Sequence, residues 1–246
     1  YSNLKAIDYV DLKQIDSDVL EVTVALKEKF SWGYVVDYVN NSLEIKVKQT
    51  PVALYARSRT PFVGLTIGLD AGHGGSAPGA ISPSGITEKE VNLDMVFTLK
   101  EMIEKRGGKV ILSRSEDIDL SMQERLTTFR EGKVDLMLSI HCNAGGNPLI
   151  PMGTSTYYRH IEHKPLAQSI LKSLMELNVA EFGLVGNFNF SLNSPTDFPA
   201  ILVEVLFMSS LPDEELLASS RFRKEMMEKV VMGLEKYINE VRESLR

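Results

Sequence analysis

The chain predicts an α/β fold, a mostly parallel sheet flanked by helices on both faces, over residues 62–246. Three features point to it. Short apolar runs alternate with longer stretches whose apolar residues recur at helical spacing. Glycines and turn residues punctuate the junctions. The residues with the richest chemistry stand at or near the ends of the apolar runs, where open α/β sheets collect their sites.

Taken in order, residues 1–60 read differently from the rest and form a small β segment. Val19-Leu20-Glu21-Val22-Thr23-Val24 and Ser42-Leu43-Glu44-Ile45-Lys46-Val47-Lys48 alternate with the period of half-buried strands. Asn40-Asn41 supplies turn chemistry after the run 34–39, a hairpin signal. Residues 49–61, with Pro51 and Pro61, read as a linker. Leu65-Thr66-Ile67-Gly68-Leu69 is then a short strand that runs into a glycine-rich turn. A helix over 89–106 carries Val91, Leu93, Met95, Val96, Leu99, Met102 and Ile103, and stops at Gly107-Gly108. Strands follow at 109–112 and 134–140, separated by a helix over 121–130. Next come a strand at 154–158, a helix over 165–177, a central strand at 200–205 and a long amphipathic helix over 221–241.

Composition bounds what the chain can do. With 43% apolar and 24% charged residues among 246, it has the balance of a globular protein. A net charge of −6 argues against a nucleic-acid partner. No apolar run is long enough for a membrane span. Cys142 is the single cysteine, which excludes an internal disulfide and a thiolate zinc cluster. The chain starts at Tyr1, which reads as a trimmed or processed product that a signal peptide could once have preceded.

His73, His141 and Glu204 each stand at or near the end of an apolar run, and Glu88 precedes the helix after the His73 loop. Two imidazoles and a carboxylate form the ligand set of many catalytic zinc sites. Glu204, inside an otherwise apolar strand, suits a general base. Each residue alone also admits a plainer role. A strand-end histidine is more often a hydrogen-bonded structural residue. Glu88 favours a helix dipole, and Glu204 could pair with buried Arg114 or Arg125. His160 and His163, beside charged residues, read as solvated.

Longer motifs narrow these readings. Asp70-Ala71-Gly72-His73-Gly74-Gly75, Pro78-Gly79-Ala80, Gly85-Ile86-Thr87-Glu88-Lys89 and Val91-Asn92-Leu93 resemble the opening of the zinc-dependent N-acetylmuramoyl-L-alanine amidases. Ser113-Arg114 with Asp117, Leu120 and Arg125, then Ser139-Ile140-His141-Cys142-Asn143-Ala144, then 199–205 with Phe207 and Ser209, are similar to that family's later motifs, in family order. The resemblance implies hydrolysis of the amide between N-acetylmuramic acid and L-alanine in peptidoglycan. It implies one Zn2+ held by His73, Glu88 and His141, with Glu204 as the catalytic carboxylate. Asp70 and Asn143 are implied as supporting or substrate-contacting residues. It further implies export to the periplasm or cell wall, and the first 60 residues resemble part of an AMIN-type wall-targeting module.

The chain departs from the family pattern at Leu206, Ser155, Cys142 and 191–193, where glycine, glutamate, another residue and an arginine are usual. Some relatives carry an inhibitory helix after the second histidine. Here 144–153 is a short loop with Gly145, Gly146, Pro148 and Pro151, so an activator protein is not required on that account. Three alternatives stand beside the amidase: a zinc carboxypeptidase-like peptidase acting on wall peptides, a catalytically inactive wall-binding protein, and a thiol hydrolase built on Cys142.

Overall fold

A computed structural model describes residues 6–246; the first five residues of the expected β segment lie outside the described residues. Two hairpins open the chain. β1 (Ile7–Asp16) pairs antiparallel with β2 (Val19–Leu26), and β3 (Tyr34–Val39) with β4 (Ser42–Val47). Asn40 and Asn41 both adopt positive φ in the second turn, the conformation a two-residue hairpin loop requires. β1 was not expected from the sequence. Its aspartates and lysine blur the alternation that marks β2.

The six-stranded sheet has the order β6-β5-β7-β10-β8-β9. Its strands are β5 (Thr66–Ala71), β6 (Lys109–Leu112), β7 (Leu136–Asn143), β8 (Thr154–Tyr157), β9 (Glu181–Val185) and β10 (Ala200–Phe207). β6, β5, β7 and β10 run parallel, whereas β8 is antiparallel to β10 and β9 is parallel to β8. The mostly parallel reading holds, with a reversed pair at one edge. β9 escaped sequence reading because it is a short edge strand broken by Gly183. β7 continues through His141 to Asn143 instead of ending on the histidine.

Alternation along the strands decides where chemistry can sit. Ile67, Leu69 and Ala71 of β5, Leu136, Leu138 and Ile140 of β7, and Ile201, Val203 and Val205 of β10 join the larger core. That face is covered by α1 (Glu88–Lys105), α3 (Lys164–Leu174) and α5 (Ser220–Ser244). The intervening residues point to the other face, where α2 (Met122–Glu131) packs through Phe129 on Met137 and Ala200. Asp70, Ser139, His141 and Glu204 share that second, thinly covered face, because side chains two apart in a strand point the same way.

Helix starts follow local chemistry. Ser121 and Glu124 form a reciprocal capping box at α2, and Ser219 accepts from the backbone N–H of Phe222 at α5. The short α4 (Leu211–Ala218), capped by Ser210, was missed because its eight residues carry little amphipathic signal. In the stretch expected as linker, Leu54 is buried, and with Phe30 and Trp32 it belongs to the larger core. Phe30 meets Tyr237 of α5 edge-on at 5.7 Å between ring centres, and Trp32 lies 6.4 Å from the same ring.

Candidate active site

Parallel pairing of β7 and β10 sets His141 directly opposite Glu204, so two of the expected site residues are neighbours by register. His73 enters from the turn after β5 and holds a positive φ of 62°, an uncommon conformation for a side-chain-bearing residue. Glu88, the first residue of α1, is only 3% exposed and reaches between the two imidazoles. Its Oε2 lies 3.1 Å from His73 Nε2, and its Oε1 lies 3.1 Å from His141 Nδ1. The three residues each offer one ligand atom within 4.8 Å of the others.

The carboxylate is fixed from several sides. Glu88 Oε2 accepts from the Ala80 N–H at 2.9 Å, and Oε1 accepts from the Cys142 N–H at 3.0 Å and from Asn92 Nδ2 at 3.2 Å. Burial opposes its ionisation, but hydrogen bonds from His141 and His73 hold its carboxyl well below the usual range. Two glycines make the room. A Cβ at Gly72 would stand 2.2 Å from the His141 ring, and one at Gly79 would stand 2.4 Å from Glu88 Oε2. Neither position tolerates a side chain without moving a member of the cluster.

Glu204 is placed differently. It is 8% exposed, its Oε2 is buried without a hydrogen-bond partner, and neither Arg114 nor Arg125 reaches it. The ion-pair role open from sequence is therefore not the one adopted. Burial raises its pKa to about 7, against the opposing pull of His141. Such a group can take and give a proton near neutrality.

Asp70 is fully buried below this cluster, where Arg125 Nη1 donates to it at 2.7 Å and Ser139 Oγ at 2.7 Å. Burial works against its charge, but the Arg125 guanidinium holds the carboxyl below its ordinary value. Arg125 also donates to the carbonyls of Ala71 at 2.8 Å and His73 at 2.7 Å, and so ties the His73 turn to the sheet. Arg114 adds bonds to the Ala71 and Gly72 carbonyls at 3.0 Å each. Sequence reading counted both arginines as motif positions but did not assign them this clamp. Their places among otherwise apolar core positions were the available signal.

A cleft of about 830 Å³ opens above the cluster, lined among others by Ala144, Asn143, Phe190, Leu192 and Met122. Asn143 donates to the Tyr157 hydroxyl at 3.3 Å, and Tyr157, Phe188 and Phe190 pack as an aromatic group with centres 4.6–5.6 Å apart. The aromatic group was not foreseen. Residues 144–153 contain no helix and leave the cleft open. Cys142 is 3% exposed with burial pushing its thiol well up, so it is no nucleophile. His163 is 1% exposed and stands outside the cluster, contrary to the solvated position expected of it, because the start of α3 folds it under β10.

Residues 67–236 match the model of the family described as N-acetylmuramoyl-L-alanine amidase. The chain belongs to this family. Among solved amidases, the catalytic domain of CwlV from Bacillus (Paenibacillus) polymyxa var. colistinus superposes with a TM-score of 0.67 and 28% identity, over 71% of this chain and 98% of that one. CwlD of Clostridioides difficile, solved in complex with the GerS lipoprotein, gives 0.65 and 28%, over 71% and 98%. The amidase AmiC of Neisseria meningitidis serogroup B is 29% identical over 254 residues, covering 82% of this chain and 61% of AmiC. This amidase-family chain thus spans less than two thirds of that relative's length.

Proposed function

We propose that this chain hydrolyses the amide between the lactyl group of N-acetylmuramic acid and L-alanine in peptidoglycan, using one zinc ion held by His73, Glu88 and His141. The observation that carries the reading is a buried, unpartnered Glu204 carboxyl raised to about 7 beside a preorganised His-Glu-His cluster. Two nitrogen donors and one charged oxygen donor suit zinc, and the space kept by Gly72 and Gly79 suits a group seated among them. When bound, zinc would supply a Lewis acid that lowers the pKa of water to about 7 and stabilises developing negative charge.

The remaining steps fall to the chain's own residues. Glu204 accepts a proton from the attacking water and returns it to the departing amine nitrogen of L-alanine. Its apolar setting keeps the proton affinity near the working pH. Asp70 acts through Arg125, which holds the His73 carbonyl, and is a positioning residue. Asn143, at the rim with Tyr157, contacts substrate.

Export to the periplasm or wall follows from this substrate. Residues 1–60 are proposed as part of an AMIN-like targeting module, with 62–246 as the catalytic domain. The open cleft above a short 144–153 loop supports activity without an activator, although the CwlD relative is found with a lipoprotein. The test is incubation with peptidoglycan, with and without chelator, and mass spectrometry of the released ends. Stem peptides beginning in L-alanine, lost on chelation and restored by zinc, are expected. Cleavage within the peptide would replace this reading with the peptidase.

A further inference from the structure

Far from the cleft, a hollow of about 670 Å³ is lined by Arg57, Ser58, Arg59, Asn239, Arg242, Glu243 and Arg246. It gathers four guanidinium groups on a chain whose net charge is −6. None of the four forms a side-chain hydrogen bond or ion pair with another described residue, and Glu243 pairs with none of them. Arg242 is 7% exposed, and its Nε and Nη2 are buried without partners. Most of this chain's other arginines are spoken for: Arg114, Arg125, Arg130 and Arg223 all donate to carbonyls or carboxylates.

Two segments build the hollow. Positions 239, 242 and 243 recur at one-turn spacing and share one side of the last turns of α5, and Arg246 follows two residues past the helix end. Arg57 and Arg59 come from the stretch that precedes β5. Basic residues at a helix end complement its carbonyls, which accounts for Arg242 and Arg246. That explanation does not reach Arg57 and Arg59, nor does it satisfy the buried edge of Arg242. A guanidinium edge with two free N–H donors is the fork that binds two oxygens of one oxyanion, and Arg242, which lines the hollow, would offer it by turning that edge outward. Three more cations around a hollow of this size suit a ligand carrying more charge than one carboxylate.

We infer that this hollow binds a phosphate-bearing anion, with Arg242 as the buried anchor and Arg57, Arg59 and Arg246 as the surrounding cations. The linker residues lie before the start of β5, whereas the catalytic cluster stands at the carboxyl ends of the strands, so both could be filled at once.

The test is calorimetric titration of the protein with inorganic pyrophosphate at low salt, with acetate as control, beside sedimentation with vesicles of phosphatidylglycerol or of phosphatidylcholine. Arg57→Glu with Arg59→Glu changes exposed residues only, and Arg242→Gln removes the anchor; circular dichroism checks that each folds. Pyrophosphate binding weakened about tenfold or more by the double charge reversal, and by added salt, is expected. Selective sedimentation with phosphatidylglycerol, lost in the same variant, would assign the phosphate to a lipid headgroup. Pyrophosphate binding with no vesicle binding would assign it to a soluble or polymeric phosphate. Binding of neither by the unmodified chain, equal binding of acetate, or undiminished binding by the Arg57→Glu/Arg59→Glu protein would overturn the site.

Discussion

Replacing Arg125 with methionine removes the cation from one of the most buried ion pairs in the chain. The guanidinium is 2% exposed and Asp70 is 0% exposed, with 2.7 Å between Nη1 and Oδ1. Stripping one partner from such a pair leaves a buried charge uncompensated, at a cost of about 3–5 kcal/mol. The carbonyls lose less. Ala71 O keeps its bond from Arg114 Nε, so the His73 carbonyl goes without its guanidinium donor, about 1–3 kcal/mol, and the Leu120 carbonyl loses a longer bond of 3.4 Å. Arg125→Met combined with Asp70→Asn buries no charge and should cost only that smaller amount, so the two changes couple by about 2 kcal/mol or more. pH separates the mechanism from simple cavity formation. With Arg125 present, the folded carboxyl sits below its unfolded value, and its contribution is complete above the unfolded pKa of about 3.9. Without Arg125, burial, the largest influence on this carboxyl, outweighs the remaining pull of His141 and Ser139 and should raise it above that value, so the variant loses stability as pH climbs through the new folded pKa. Urea unfolding of all four proteins at pH 4 and pH 7.5 should therefore show the Arg125→Met deficit growing with pH. Additive costs, or a deficit equal at both pH values, would refute the pairing argument.

Three further outcomes are expected. Glu204→Gln keeps shape and removes the proton carrier, so peptidoglycan hydrolysis should fall by roughly 10²–10⁴ with zinc content unchanged by metal analysis; retained activity would exclude Glu204 as general base. Burial, helped by the neighbouring His160, lowers the pKa of His163 to about 4, so the unfolded chain takes up a proton below its own value of about 6.5 that the folded chain refuses. Stability should thus fall by about 3 kcal/mol between pH 6.5 and 4, and the slope should flatten in His163→Gln, read by denaturant titration. Trp32→Ala deletes a side chain that is 0% exposed within the larger core, and should lower the stability of the whole catalytic unit by about 3–5 kcal/mol. Loosening confined to the hairpins, by hydrogen exchange, would mean instead that the first 60 residues fold apart.

Period and punctuation made most of the architecture legible. The helix stopped by Gly107-Gly108, the strand at Lys109–Leu112 and the buried central strand all announced themselves, because one-sided or complete burial leaves a regular apolar trace. β1, β9 and α4 left none, being polar, short or weakly amphipathic. In the site, His73, Glu88, His141 and Glu204 were nameable from motif and strand-end position, and the fold brings them together. What connects them was not nameable. The clamp of Arg125 on Asp70 and the His73 carbonyl spans more than fifty residues of sequence, and burial of His163 depends on how α3 docks under β10. Local pattern carries no record of such distant contacts.

The pairing of His141 with Glu204 across adjacent parallel strands also apportions rigidity within the site. Every residue of β10 is buried, as are most of β7, so the spacing of these two side chains is set by buried backbone hydrogen bonds between two central strands. His73 and Glu88 belong to a turn and a helix start, which owe their places to Arg125, Arg114 and the Ala80 N–H. Half of the constellation is thus cast in the sheet and half is hung from side chains. Evolution or engineering can retune the hung half, by altering the clamp, while the distance between strand-borne imidazole and carboxyl stays fixed until the fold itself gives way.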